Sequence, residues 1–127
     1  MKLDMQAIGA RAKDAARALA AVDAKTKRSA LRAMADAVME SAQEIFAANA
    51  EDMEAARAGG MSDAMLDRLR LNEARLSGMA DGMRKVADMP DPVGRVLDGN
   101  TLANGLRLER RTVPFGVIGV IYEARPN

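Results

Sequence analysis

The sequence has 127 residues, of which 49% are hydrophobic, 29% charged and only 2% aromatic, and its 19 basic and 18 acidic side chains leave a net charge of +1. This length suits one domain, and the balanced charge and scarce aromatic residues argue against nucleic acid or a membrane as partner. The sequence contains no Cys and no His, which excludes disulfides, thiolate chemistry and the commonest zinc ligands from this stretch, so no metal site is predicted. No apolar run is long enough for a membrane span or a signal peptide, and we expect a cytoplasmic location.

An amphipathic pattern predicts the first helix over residues 3–21. Met5, Ile8 and Leu19 lie on its apolar face, and Arg11 and Arg17 stand between them. A surface helix packed on a core and a helix lying on a membrane both match this pattern. The small, Ala-rich apolar face favours the first interpretation, because it would contribute little insertion energy.

Capping signals predict the starts of the second and third helices. Thr26 precedes the second helix as a candidate N-cap, and Ser41 with Glu44 has the spacing of a capping box at the start of the third. Gly59-Gly60 is expected to end the third helix near residue 58. Two more helices are predicted between Gly60 and Pro90.

These last two helices also begin at capping residues. Ser62 is predicted to cap a short helix over residues 63–70, and Asn72 the fifth helix. Apolar residues recur at helical spacing in all four helices after the first, which indicates either coiled-coil seams or core packing. The stripes are too short for a coiled coil, so we expect a core. They comprise Leu31, Met34, Ala35 and Val38; Ile45, Phe46, Asn49 and Met53; Leu66 and Leu69; and Leu76, Met79, Met83 and Val86.

A hairpin is predicted after the break formed by Pro90 and Pro92. Residues 95–102 and 106–113 read as two strands joined around Asn104-Gly105, a strong turn signal. Alternation on the second strand predicts one apolar and one charged face. The charged face, with its arginines, suits either a phosphate or nucleic-acid patch or a solvated or subunit-contacting surface. Glu109 among the arginines favours the second interpretation.

Residues 113–121 form a continuous apolar run that predicts a strand buried on both faces of a parallel sheet. The polar residues after it are expected to hold the functional site, because ligands bind at the carboxyl ends of such strands. The sequence offers no later strand to pair with this one. We therefore expect the chain to be the front end of a larger domain, with a tail docked on its own helices as the alternative.

Several motifs together resemble the γ-glutamyl phosphate reductases, also called glutamate-5-semialdehyde dehydrogenases, within the aldehyde dehydrogenase superfamily. The similarity is collinear and covers essentially the whole chain. The matching stretches are residues 61–69, 90–94, 104–107 and, above all, 113–127, which end in Tyr122-Glu123-Ala124-Arg125-Pro126-Asn127.

The resemblance implies an α/β fold, of which this chain is the N-terminal part. About five α-helices (residues 1–93, the helical part of the cofactor-binding domain) would precede a β-hairpin oligomerisation arm (94–112). Residues 113–127 would then supply the first strand and terminal turn of the doubly wound cofactor-binding domain. Homo-oligomer formation through the hairpin and association with glutamate 5-kinase are implied in the same way.

The implied reaction is NADP-dependent reduction of γ-glutamyl phosphate to glutamate 5-semialdehyde and phosphate, in proline biosynthesis. A cysteine thiolate would expel phosphate and NADPH would reduce the resulting thioester. Because this chain has no Cys, we expect it to be inactive alone. Gly116-x-x-Gly119 is not a dinucleotide fingerprint, so cofactor binding rests on the resemblance.

The resemblance also assigns roles to the terminal turn. Asn127 matches the superfamily position that holds the oxyanion, although it could instead cap a following helix. Arg125 stands where related aldehyde dehydrogenases carry an aromatic residue, and it suits either the phosphate and carboxylate of the substrate or a plain salt bridge. The residues expected to border the nicotinamide are Ile121, Tyr122, Glu123, Ala124 and Pro126.

Glu123 has two interpretations of its own, a general base or an ion-pair partner, and the second is favoured by the neighbouring Arg. Two rival functions also match parts of the sequence. The first is another oxidoreductase acting on an aldehyde or acyl phosphate, and the second is a non-enzymatic helical interaction module.

Overall fold

A computed structural model describes residues 4–121. In this part of the chain, five helices are followed by a two-stranded antiparallel hairpin, as predicted. The elements are α1 (Met5–Ala20), α2 (Ala24–Glu40), α3 (Ala42–Ala58), α4 (Asp63–Leu69), α5 (Glu73–Asp88), β1 (Val96–Thr101) and β2 (Arg107–Arg111). Among the described residues, no helix is long and apolar enough to cross a membrane.

Several helix ends lie where the sequence places them. The Asn72 side chain accepts a hydrogen bond from the Arg75 backbone N–H (2.9 Å) and caps α5. At the end of α3, Gly60 has φ +77°, its N–H donates to the Arg57 carbonyl, and the next N–H along, at Met61, donates to Ala56. These two bonds form a Schellman motif, which requires a left-handed residue and so favours Gly.

Two of the predicted caps are wrong, and Ser62, although it holds the N-cap position of α4, makes no side-chain capping bond. α2 begins at Ala24, so Thr26 lies inside the helix. Ser41 makes no side-chain capping bond, because its backbone (φ −86°, ψ 11°) is close to helical and not extended. Its N–H donates to Ala37 in α2 while its carbonyl accepts from Ile45 in α3. The chain therefore runs almost directly from one helix into the next, and no capping box with Glu44 forms.

Contacts divide the chain into two units, one with α1 and Pro90–Gly119 and the other with Lys25–Met89. The second unit holds the buried apolar residues of the described chain, which confirms core packing by α2–α5. The buried set is Ala35, Met53, Leu66, Leu76, Ala80 and Ala87.

Parts of the predicted stripes are nonetheless exposed. Met34 and Val86 keep about half of their surface in solvent, and small residues nearby, Ala35 and Ala87, occupy the core positions instead. In α1 no residue is buried, and Met5 and Leu19 are mostly exposed. The apolar face of α1 is therefore only partly covered by the described residues, with Ala12 and Ala16 half-buried.

The hairpin pairs Gly99 with Glu109 and Asn100 with Leu108, and a bulge between Val96 and Asp98 shifts the register near its base. At the tip, the Gly105 N–H donates to the Leu102 carbonyl (2.9 Å) and Gly105 has φ +84°. Asn104 keeps a negative φ, so the Asn-Gly signal correctly locates the turn but only the glycine is left-handed.

The strand predicted for residues 113–121 is not formed. These residues carry neither helix nor strand, and each of them is exposed. No described strand runs beside them, so the backbone groups of this segment have no ladder partner. Burial on both faces, the other part of that prediction, is likewise absent in this structure.

Candidate functional site

The base of the hairpin is closed by Thr112, which makes four hydrogen bonds. Its N–H donates to the Arg95 carbonyl (3.0 Å) and its carbonyl accepts from the Gly94 N–H (2.9 Å). Its hydroxyl oxygen accepts from the Arg95 N–H (2.9 Å), and the hydroxyl donates to the Pro92 carbonyl. Both the donor and an acceptor site of the hydroxyl are thus occupied.

The turn before β1 brings the chain into position to bond Thr112. Val93 donates its N–H to the Asp91 carboxylate (2.9 Å), forming a local turn. Gly94 then adopts φ +80°, a conformation that side-chain-bearing residues disfavour. The sequence signal for this arrangement is weak, because a threonine at the end of a strand is common and nothing in its spacing marks the hydroxyl.

The segment that leads to the predicted site is exposed. Phe115 is 96% accessible, and Ile118 and Val120 are about 70% accessible. Gly116 has φ +86° and bends the segment away from a regular extended conformation. The segment therefore presents a series of large apolar side chains that the described residues leave uncovered.

Only one predicted site residue lies in the described part of the chain. Ile121 is fully exposed at the end of that part, and the structure gives it no partner with which to test cofactor binding. The remaining site predictions lie outside the described residues: Tyr122, Glu123, Ala124, Arg125, Pro126 and Asn127.

The charged face of the hairpin is an internally paired surface. Arg111 contacts the Glu109 carboxylate through Nε (2.7 Å) and a terminal nitrogen (2.6 Å), and Arg107 approaches it at 3.9 Å. A carboxylate already engaged by two guanidinium groups lowers the positive potential of this face, which supports a solvated or subunit-contacting surface over a phosphate patch. The opposite face carries the half-exposed Leu108.

A second charged cluster lies on α2 and α5. Arg84 bonds the carboxylates of Asp36 (2.8 Å) and Asp81 (3.1 Å), and Arg32 bonds that of Asp88 (2.6 Å). The hydrogen bond to Asp36, and secondarily that to Asp81, raises the pKa of Arg84 above its ordinary value. Arg84 therefore stays a cation, and the cluster is suited to joining helices and not to proton transfer. Within residues 4–121, no group of three acidic side chains is placed to hold a metal ion.

Relatives of known name resemble this chain along almost its full length. The γ-glutamyl phosphate reductase of Escherichia fergusonii is 53% identical over 123 residues, which is 97% of this chain and 30% of that protein. That of Enterobacter sp. (strain 638) is 52% identical over the same coverage. The chain thus spans about 30% of the length of the relatives it matches. No family model matches the sequence.

Solved structures agree with the sequence comparison. The γ-glutamyl phosphate reductase of Thermotoga maritima superposes with a TM-score of 0.79 at 34% identity, covering 81% of this chain and 25% of that protein. The Saccharomyces cerevisiae enzyme gives 0.81 at 30% identity, covering 90% and 29%. The predicted resemblance to this enzyme and the predicted fold of five helices followed by a hairpin are therefore confirmed.

Proposed function

We propose that this chain is part of an NADP-dependent γ-glutamyl phosphate reductase, which forms glutamate 5-semialdehyde and phosphate in the cytoplasmic biosynthesis of proline. The observation that carries this proposal is the identity of about half the residues over 97% of the chain with enzymes of that name. The hydride would come from the bound NADPH. The thiol that the reaction needs would lie in another part of the enzyme, because these 127 residues include no Cys.

We assign the functional positions of this chain to residues 121–127, of which the last six are predicted from the sequence to form a turn. Asn127 would donate its side-chain amide to the oxyanion that develops when the acyl carbon is attacked. Arg125 would bind the phosphate or the carboxylate of the substrate through its guanidinium fork. Ile121 and the residues from Tyr122 to Pro126 would border the nicotinamide.

The exposed apolar segment supports this assignment. A contiguous set of large hydrophobic side chains is rarely left in solvent and marks a surface that another part of a protein covers. In the proposed enzyme, residues 113–121 would enter the sheet of the cofactor-binding domain, and the turn after them would stand at a strand end, where ligands bind in such sheets.

The hairpin at residues 94–112 would serve as the oligomerisation arm. An isolated two-stranded hairpin is marginally stable in water, and no residue of either strand is buried here. A partner subunit that covers the leucine-bearing face would supply the missing burial. Glutamate 5-kinase, which would produce the unstable acyl phosphate, is the proposed heterologous partner.

The experiment that tests the function is an assay of the complete enzyme with glutamate 5-semialdehyde, phosphate and NADP, which follows the reverse reaction. Asn127→Ala should lower kcat about 10²-fold, as for other single oxyanion donors. Gln43→Ala, which removes an exposed side-chain amide in α3, is the matched control and should leave kcat unchanged. If the enzyme turns over other aldehydes but not glutamate 5-semialdehyde, the proposed substrate is wrong. If Asn127→Ala has the same kcat as the parent enzyme, Asn127 does not stabilise the oxyanion.

A further inference from the structure

The tip of the hairpin holds an asparagine that is followed by a glycine. Asn104 is the only asparagine of this sequence with that neighbour, and both residues are exposed in the turn between β1 and β2. A glycine has no Cβ to shield its backbone nitrogen, and a Cβ added at Gly105 would meet no atom within 4 Å outside the adjoining residues. The Gly105 nitrogen is therefore open to reaction with the Asn104 side chain, with which it can close a small ring.

The Asn104 amide is already polarised by the turn. Its Oδ1 accepts a hydrogen bond from the Leu106 N–H (3.1 Å). When a nitrogen adds to the amide carbon, negative charge develops on this oxygen, and a donor aimed at it stabilises that charge. The turn thus supplies one of the contacts that a reaction at this side chain needs.

The attacking nitrogen is restrained by the same turn. The Gly105 N–H donates to the Leu102 carbonyl, and the Leu102 N–H donates to the Leu106 carbonyl (both 2.9 Å). The first of these bonds must open before the Gly105 nitrogen can lose its proton and attack. An exposed hairpin tip opens at a small cost in free energy, because few other contacts hold it. These bonds therefore slow the reaction without preventing it.

We propose that Asn104 is a site of spontaneous deamidation. Hydroxide takes the proton of the Gly105 N–H, and the nitrogen bonds to Cγ of Asn104. The Cγ–Nδ2 bond breaks, and the departing nitrogen takes a proton from water, which restores the hydroxide, and leaves as ammonia. Water then opens the cyclic imide at either of its carbonyls and yields aspartate or isoaspartate. The attacking group belongs to the chain itself, so the reaction needs only water at the tip and goes beyond the function proposed above.

The products alter the tip in both charge and geometry. Each carries a carboxylate in place of the neutral amide, and in isoaspartate the backbone also runs through the side chain and is one methylene longer. The longer backbone displaces Gly105 and Leu106 from the positions in which they bond Leu102. The two hydrogen bonds of Leu102 are therefore lost as isoaspartate accumulates.

The test incubates the complete enzyme in buffer and maps its peptides by mass spectrometry. Trypsin cleaves after Arg95 and Arg107, and the peptide between them contains both Asn104 and a matched internal control, Asn100. At Asn104 we expect a mass gain of about 1 Da, because OH replaces NH2, and a rate that rises about tenfold per pH unit, because a base removes the proton. Asn100 precedes Thr101 within the β1 ladder and should convert at least about tenfold more slowly.

Two variants of the experiment separate the chemistry from the turn. Asn104→Gln keeps an amide on a longer side chain that does not close the same ring, so this protein should show no mass gain. A synthetic peptide of residues 96–107, which has no stable turn, should convert about tenfold faster than the enzyme. In the converted enzyme, the Leu102 amide should exchange its hydrogen about tenfold faster than in the fresh enzyme.

Four results would overturn the inference. No mass gain at Asn104 while the peptide converts completely would show that the folded tip bars the attack. Equal conversion at Asn100 would remove the selectivity assigned to the turn, and an equal mass gain in Asn104→Gln would place the modification at another residue. Unchanged exchange at Leu102 in the fully converted enzyme would show that the tip keeps its bonds and that the modification has no structural effect.

Discussion

Two regions of this molecule use apolar residues in opposite ways. In α2–α5, Leu76 is only 1% exposed, and a buried polar residue, Asn49, is hydrogen-bonded on both sides. In the hairpin, Leu108 is 49% exposed, and Phe115 in the segment that follows is almost wholly in solvent. Helices α2–α5 bury a core of their own. The hairpin pairs its backbone groups, and both the hairpin and residues 113–121 leave apolar side chains in solvent. Helices α2–α5 therefore supply the stability of the fold, whereas the hairpin and residues 113–121 expose apolar side chains that another surface can cover.

The largest test of this contrast compares two leucines. Leu76→Ala should lower the free energy of unfolding by about 3 kcal/mol, because a fully buried leucine leaves a cavity when it is shortened. Leu108→Ala should change the same quantity by less than about 0.5 kcal/mol, as surface substitutions do. Urea unfolding followed by far-UV circular dichroism measures both. Equal losses would mean that the hairpin contributes to the same core.

A second test concerns Asn49, whose side chain fixes the connection between α4 and α5. Its Nδ2 donates to the Leu69 carbonyl (3.0 Å), and its Oδ1 accepts from the Leu71 N–H (2.7 Å). Asn49→Ala leaves both backbone groups without this partner and should cost about 2 kcal/mol of unfolding free energy. The control, Asn100→Ala on the exposed β1, should be nearly neutral in the same measurement. A neutral result at Asn49 would show that water replaces the amide without cost.

Sequence patterns identified the elements whose causes are local. Asn72 caps α5 because its side chain bonds an N–H three residues later, and Gly105 marks the hairpin turn because it tolerates a positive φ. The prediction that Ser41 caps α3 is wrong because a capping serine needs an extended backbone, which the direct junction between α2 and α3 does not provide. Spacing alone does not reveal whether the chain pauses between two helices.

Features that depend on distant partners could not be read in this way. Asn49 stands on an apolar stripe between Phe46 and Met53, and that position was the available signal of a buried amide. Its partners lie 20 and 22 residues away, however. Burial of residues 113–121 was predicted from their composition, yet burial requires a neighbouring strand that the described residues lack.

A third test, of about 1 kcal/mol, uses two glycines and expects opposite signs. Gly105→Ala should open the hairpin more easily, because φ +84° disfavours a side chain by about 1 kcal/mol. Gly78→Ala in α5 should stabilise the helices by roughly 0.5–1 kcal/mol, since alanine is the better helix former and an added Cβ meets no atom within 4 Å. Amide exchange at Leu102 measures the first effect and urea unfolding the second. A destabilising Gly78→Ala would reveal an additional surface packed against α5.

The smallest expected effect concerns Arg84, whose ion pairs join α2 and α5 at the surface. Its pKa is raised by the hydrogen bonds to Asp36 and Asp81. A cation with a raised folded-state pKa contributes its stability fully below its unfolded pKa and loses it only as the pH rises through the folded value. For Arg84 that window lies far above the physiological range, so the difference in Tm between Arg84→Met and the parent should be small and constant from pH 6 to pH 9. The same difference should shrink in high salt, because exposed pairs are screened. A difference that changes within this pH range would indicate that another titrating group acts on the α2–α5 contact, and the stability of the helical region would then rest on more than its apolar core and the Asn49 bridge.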